Sequence, residues 1–135
     1  MTEVDTPDTP AVRALAASGI AHRLTVHGRV SSLEEAAAIR GVLPRQVIKT
    51  IVVRRGDDDF LLVLVPGDRQ ISWPKLRALL GVNRLSMPDA EVAREATGYE
   101  RGTITPFGAK PGPDGRPWPV IADALLVERG EEVNI

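Results

Sequence analysis

Lys49 stands in the run V-I-K-T-I-V-V, from Val47 to Val53. Strand alternation puts Val47, Lys49, Ile51 and Val53 on one face and Ile48, Thr50 and Val52 on the other. An ammonium in the middle of an apolar face is rarely buried alone: it snorkels, pairs with a carboxylate or lines a wet pocket. In a pocket, desolvation lowers its pKa and a substrate anion raises it. The snorkelling edge lysine and the pocket lysine both stand open on these residues.

The second chemically informative stretch is Thr97 to Gly108, T-G-Y-E-R-G-T-I-T-P-F-G, with three glycines, a proline and the chain's only tyrosine. Glycine admits positive φ and close backbone approach, and proline fixes φ and removes a donor. Such a segment is a poor helix and a poor long strand, so it reads as a shaped loop. Loops held on a rigid scaffold are where binding sites concentrate, although a pair of purely structural turns fits the same residues.

Other reaction types find little support. The histidines are His22 and His27, and they do not form a metal-ligand pair at helical spacing. No G-x-S-x-G elbow, P-loop or G-x-G-x-x-G is present. The chain has no cysteine, which removes disulfides, thiolate metal sites and a cysteine nucleophile. Asp57 to Asp59 read as a solvated hairpin tip.

The elements that must position these residues follow from local signals. Thr9 and Pro10 open a helix that Gly19 closes. Ala21 to His27 alternates as a strand, and Ser31/Glu34 or Ser32/Glu35 form a capping box for a helix ending near Gly41. Leu43 to Gln46 is a turn or single helical turn, followed by a strand from Val47 to Arg55, a hairpin loop at Gly56 to Asp59, and a two-faced buried strand from Phe60 to Val65. Ser72 precedes a helix to Leu80, Arg84 to Met87 is a brief strand, and Pro88 opens a helix to Ala96. Short strands are expected at Gly102 to Ile104 and Val120 to Asp123, with Leu125 to Glu128 and Val133 to Ile135 as further strand candidates. Helices interleaved with a hairpin and short strands predict an α+β domain with a mixed, curved sheet flanked by short helices.

Q-V-I-K-T-I-V-V, then T-G-Y-E-R-G-T-I-T-P-F-G some fifty residues later, then P-V-I-A-D, resembles the YbaK/ProX family of aminoacyl-tRNA deacylases. That family is similar to the editing domain inserted in bacterial prolyl-tRNA synthetases. The resemblance runs from about Pro10 to the end and implies hydrolysis of the ester joining a wrong amino acid to a tRNA 3′ end. Cys- or Ala-tRNA(Pro) is the expected substrate, with prolyl-tRNA synthetase as a partner and no metal or cofactor. By the same resemblance Lys49 matches the essential lysine, and the loop Gly102, Thr103, Ile104, Thr105, Pro106 to Gly108 matches the pocket wall for the aminoacyl group. Thr50, Asp123 and His27 also fall on matching positions, with capping or packing as the plainer roles for Asp123 and His27.

An aminoacyl ester is already activated, so positioning and oxyanion stabilisation carry much of its hydrolysis. Lys49 and backbone N–H groups near Gly102 and Gly108 are candidate donors, and the attacking group is a water, the substrate's thiol or a ribose hydroxyl. Thr103 replaces a second glycine found in many relatives, adding a β-branched side chain to the loop. Relatives usually continue past the equivalent of E-E-V-N-I into a glycine-rich turn, a strand and a helix, so the expectation is a flexible segment 1–8 and a deacylase domain over 9–135 without that tail.

The rest of the chain limits the partners. With 135 residues, 43% hydrophobic and 26% charged, one soluble domain is expected. The acidic start M-T-E-V-D-T-P-D-T-P has no signal-peptide pattern, and the longest apolar run, Phe60 to Pro66, is too short for a membrane helix, so the cytoplasm is the default expectation. A net charge of −1 argues against DNA or RNA held by charge alone, although Arg45, Lys49, Arg54 and Arg55, and Arg69, Lys75, Arg77 and Arg84, cluster locally. Rival readings are a non-catalytic module binding a tRNA end or a synthetase, and a small-molecule or nucleotide-binding domain.

Overall fold

Local capping sets the helix ends. The computed structural model describes residues 8–26, 28 and 30–135. Thr9 Oγ1 accepts from the Val12 amide at 3.2 Å and opens α1, Pro10–Ser18. Ser32 Oγ accepts from the Glu35 amide at 3.0 Å and opens α2, Leu33–Arg40. The Glu35 carboxylate reaches back to accept from the Ser31 hydroxyl and amide, and these bonds hold its pKa below the ordinary value.

A 3₁₀ turn at Pro44–Gln46 leads into β1, Ile48–Gly56, which folds back on β2, Asp59–Pro66, with Lys49 opposite Val65 and Val53 opposite Leu61. Asp58 takes φ +51° at the hairpin tip, a conformation that aspartate tolerates. β3, Val120–Ala122, pairs parallel to β2, giving an open mixed sheet in the order β1-β2-β3.

Each face of the sheet carries one helix. Val53, Leu61, Val63 and Val65 bury against Leu76 of α3, Trp73–Leu80. Val52, Phe60 and Leu62 bury against Ala93 and Ala96 of α4, Ala90–Thr97. Trp118 closes the second face, edge-on to Phe60 at 5.4 Å and 85°, with its indole N–H donating to the Ala96 carbonyl at 2.8 Å. A buried side chain such as Leu61 stabilises the fold by roughly 1.5–3 kcal/mol relative to exposure.

Several sequence expectations need correction. Ala21 to Val26 is exposed and unpaired rather than a strand; alternation supplies a strand only where an edge is present to pair with. His27, the end of that expected strand, lies outside the described residues. Gly102 to Ile104 is a turn, because Glu100 already accepts from the Thr103 amide and hydroxyl. Leu125–Glu128 is a helical turn, α5, since Asp123 caps the Leu125 amide. The expected strand at Arg84 to Met87 shrinks to one bridge, Ser86 to Arg54, and Val133 to Ile135 to one parallel bridge, Asn134 to Val47. The helix expected from Pro88 begins two residues later, where Asp89 caps the Val92 amide. No helix among the described residues is long and apolar enough to cross a membrane.

Candidate functional site

Lys49 leaves β1 on the side of Ile51 and Val53, toward the end of the sheet where β2 turns at Gly67. Its ammonium donates to the backbone carbonyl of Arg69. Among the described residues no carboxylate pairs with it, and two of the three ammonium protons remain for a ligand. Extending the parallel register by one residue puts Asp123 in the same row as Val65 and Lys49. Asp123 is engaged locally: its amide donates to the Leu64 carbonyl at 3.0 Å and its carboxylate accepts from the Leu125 amide at 2.9 Å.

Two ion pairs frame this end. Arg129 grips Asp68 with two bonds of 2.9 Å, and the Arg45 Nε meets Glu131 at 3.0 Å. The hydrogen bonds from the guanidiniums hold the Asp68 and Glu131 carboxyls below their ordinary pKa values, and those of both arginines are raised in return. These pairs tie the C-terminal segment to the turn after β2 and to the 3₁₀ turn. Ile48 and Asn134 complete the tie with a backbone bond of 2.7 Å.

Thr50 leaves β1 on the opposite face. It lines a narrow cavity of about 70 Å³ together with Val52, Met87, Pro88, Arg101 and Ile104. The Thr50 Oγ1 is buried and has no hydrogen-bond partner among the described residues. A buried hydroxyl left unsatisfied costs about 1–3 kcal/mol, so such a group calls for an explanation. Arg101 is anchored across the cavity by a 2.7 Å bond from its guanidinium to the Pro88 carbonyl.

The glycine-rich loop is braced from within. Thr97 donates to the Ala93 carbonyl at 2.8 Å and accepts from the Tyr99 amide, and the Tyr99 hydroxyl donates to the Phe107 carbonyl at 2.9 Å. Burial pushes the Tyr99 phenol pKa up. Thr105 is buried, accepting from the Phe107 amide at 3.3 Å. Gly108, at φ +70°, lies so close to α1 that a Cβ there would sit 2.4 Å from the Pro10 carbonyl carbon. The loop is therefore stapled to the start of α1 and the end of α4.

Of the residues expected at the site, the structure places Thr50 and Ile104 in one cavity. Thr105, Pro106 and Gly108 shape the loop behind it, while Gly102 and Thr103 are exposed at its outer turn. Lys49 and Asp123 lie on the other side of the sheet. Arg101, Met87 and Pro88 were missed; Arg101 had a signal in the E-R-G of the loop, whereas Met87 and Pro88 reach the cavity only through the Ser86 bridge. Among the described residues no three His, Asp or Glu side chains are grouped to hold a metal ion.

The fold and motifs define an editing domain: the chain belongs to the aminoacyl-tRNA editing domain family, whose model matches residues 27–134. It is 39% identical over 80 residues to the proline–tRNA ligase of Thermosipho africanus, and 39% identical over 77 residues to that of Heliobacterium modesticaldum. These stretches cover 59% and 57% of the chain but only 14% and 13% of the ligases. The structure of a candidate trans-editing enzyme for prolyl-tRNA synthetase superposes with a TM-score of 0.74 at 28% identity, over 91% of this chain and 77% of that one. The hypothetical protein APE2540 shares the fold, with a TM-score of 0.77 at 24% identity, over 90% of this chain and 77% of that one.

Proposed function

We propose that this chain hydrolyses the ester of a mischarged aminoacyl-tRNA, Cys- or Ala-tRNA(Pro), acting in trans beside prolyl-tRNA synthetase in the cytoplasm. The observation that carries the reading is a small, mostly apolar cavity lined by Thr50, whose buried hydroxyl has no hydrogen-bond partner among the described residues. At about 70 Å³ it suits a side chain of one or two heavy atoms, and Thr50 supplies the hydrogen bond that an acyl group or its amine satisfies. Ile104 and Arg101 form the loop wall, and Gly102, Thr103, Thr105, Pro106 and Gly108 hold that wall in shape.

Lys49 is the catalytic cation of this proposal. Held by a carbonyl rather than a carboxylate, its ammonium has donors left for the terminal nucleotide or the developing oxyanion. Attack on the ester carbonyl forms a tetrahedral oxyanion; its collapse breaks the acyl–oxygen bond, and the ribose oxygen takes up through solvent the proton that the nucleophile loses and leaves as the hydroxyl. Among the described residues no carboxylate or imidazole lines the cavity, and the proposed nucleophile is a water or the substrate's own hydroxyl or thiol, whose acyl product a water then hydrolyses. Asp123 holds the end of β3 in register for Lys49, and His27 is assigned to substrate contact by its motif position alone.

One observation favours a second reading, a module that binds a tRNA end without hydrolysis: Lys49 and the Thr50 cavity open on opposite faces of β1. Turnover of labelled Cys-, Ala- and Pro-tRNA(Pro) by the protein and by Lys49→Ala decides between them. Lysine-dependent loss of Cys or Ala but not Pro supports editing. Binding without turnover supports the module.

A further inference from the structure

Four arginines border one groove where the far end of β1 meets the segment after α3. Arg54, Arg55, Arg77 and Arg84 line an open groove of about 410 Å³, with Asn83 and Ser86 between them. Arg54 and Arg55 lie on β1, Arg77 in the last turn of α3, and the reciprocal backbone bonds between Arg54 and Ser86 bring the groups together. Arg54 pairs with Asp57 at 2.6 Å and Arg55 with Asp59 at 2.9 Å, both acids of the hairpin tip. Among the described residues neither Arg77 nor Arg84 has a carboxylate partner.

In a chain of net charge −1, two uncompensated guanidiniums beside two that are tied only to an exposed turn form a local basic excess. Planar guanidinium forks suit phosphate oxygens, and an open groove suits a polyanion better than a small enclosed ligand. The groove also leads away from the Thr50 cavity. Ser86 lines one and the adjoining Met87 and Pro88 line the other, while Arg54 lies four residues along β1 from Thr50, about 13 Å at ~3.3 Å per residue.

We infer that this groove is a phosphodiester-binding track for the tRNA backbone, with Arg77 and Arg84 as its principal contacts. The inference rests on the editing reading for the identity of the RNA, and it adds a contact surface remote from the ester. Phosphate contacts position a nucleic acid and carry no sequence information, so the track sets affinity and register but not which amino acid is removed.

The test compares the protein with the Arg77→Glu/Arg84→Glu double variant, and with the Gln pair should the charge-reversed form lose its circular dichroism spectrum. Fluorescence anisotropy measures uncharged tRNA binding across a salt series. Hydrolysis is followed on aminoacyl-tRNA and on an aminoacyl-adenosine ester that has no backbone phosphate. The track predicts about tenfold or greater weakening of tRNA affinity, a salt slope shallower by about two, a raised KM on aminoacyl-tRNA with kcat retained, and unchanged hydrolysis of the small ester. Equal affinity and slope in variant and parent overturn it. So does saturation of the groove by inorganic phosphate without any loss of tRNA affinity in the variant, which assigns the site to a small anion. Failure of the parent to hydrolyse either ester while the salt slope still depends on Arg77 and Arg84 sinks the editing reading and leaves the track standing.

Discussion

Lys49 and Thr50 are neighbours in sequence, yet they leave β1 into opposite surroundings. The Lys49 side is polar: a backbone carbonyl holds the ammonium, and the pairs Arg129–Asp68 and Arg45–Glu131 stand nearby. The Thr50 side is mostly apolar, a narrow cavity beside a buried hydroxyl that has no partner among the described residues. A charge needs polar partners to stay charged, whereas selection among small side chains needs a tight apolar wall. One strand meets both needs by alternation, and a substrate using both must reach around its edge.

The largest expected effect breaks the polar side. Lys49→Ala should lower kcat/KM for deacylation by about 100-fold or more, about 2.7 kcal/mol of barrier, while the thermal unfolding midpoint moves little. Full activity in that variant would end the assignment of Lys49. Next comes the scaffold of the apolar side: Gly108→Ala forces a Cβ against Pro10 and a strained φ of +70°, so a loss of roughly 1–3 kcal/mol is expected in urea unfolding.

Thr50→Val sharpens the comparison because it keeps shape and removes the orphan hydroxyl. Stability should hold or rise by about 1 kcal/mol, while activity falls about tenfold if the hydroxyl meets the substrate. A variant as active as the parent would leave the orphan hydroxyl without a role.

The smallest effect is pH dependence on the polar side. Asp68 and Glu131 have folded pKa values below their unfolded ones, so their contribution is present above the ordinary carboxylate range and is lost as pH falls through the depressed values. Glu131→Gln should therefore flatten the acid limb of a stability–pH curve and leave the neutral region nearly unchanged.

Much of the scaffold was legible in the sequence. Thr9 and Gly19 marked the ends of α1, two serines and Gly41 bracketed α2 with Ser31 and Ser32 both open as its cap, and alternation around Lys49 already assigned it and Thr50 to opposite faces. The segments read wrongly have two causes. Ala21 to Val26 and Gly102 to Ile104 had a strand's composition but no partner, and Leu125 to Glu128 had the residues of a strand but an aspartate cap before it. Of the site, the lysine and the glycine-rich loop stood out by composition, but Arg101, Met87 and Pro88 did not announce a shared cavity.

The sequence by itself determined what is encoded within a few residues: helix starts, the β1–β2 hairpin, the braced loop and the motifs that mark the family. The helix caps depend on bonds between groups three positions apart and the hairpin on a short turn, which the chain carries wherever it goes. Only the tertiary structure decided that β3 lies parallel beside β2, that Lys49 rests on the Arg69 carbonyl, that the Thr50 hydroxyl is buried with no partner among the described residues, and that Arg54 and Arg55 border one groove with Arg77 and Arg84. Each of those is a long-range juxtaposition, set by which buried faces pack together.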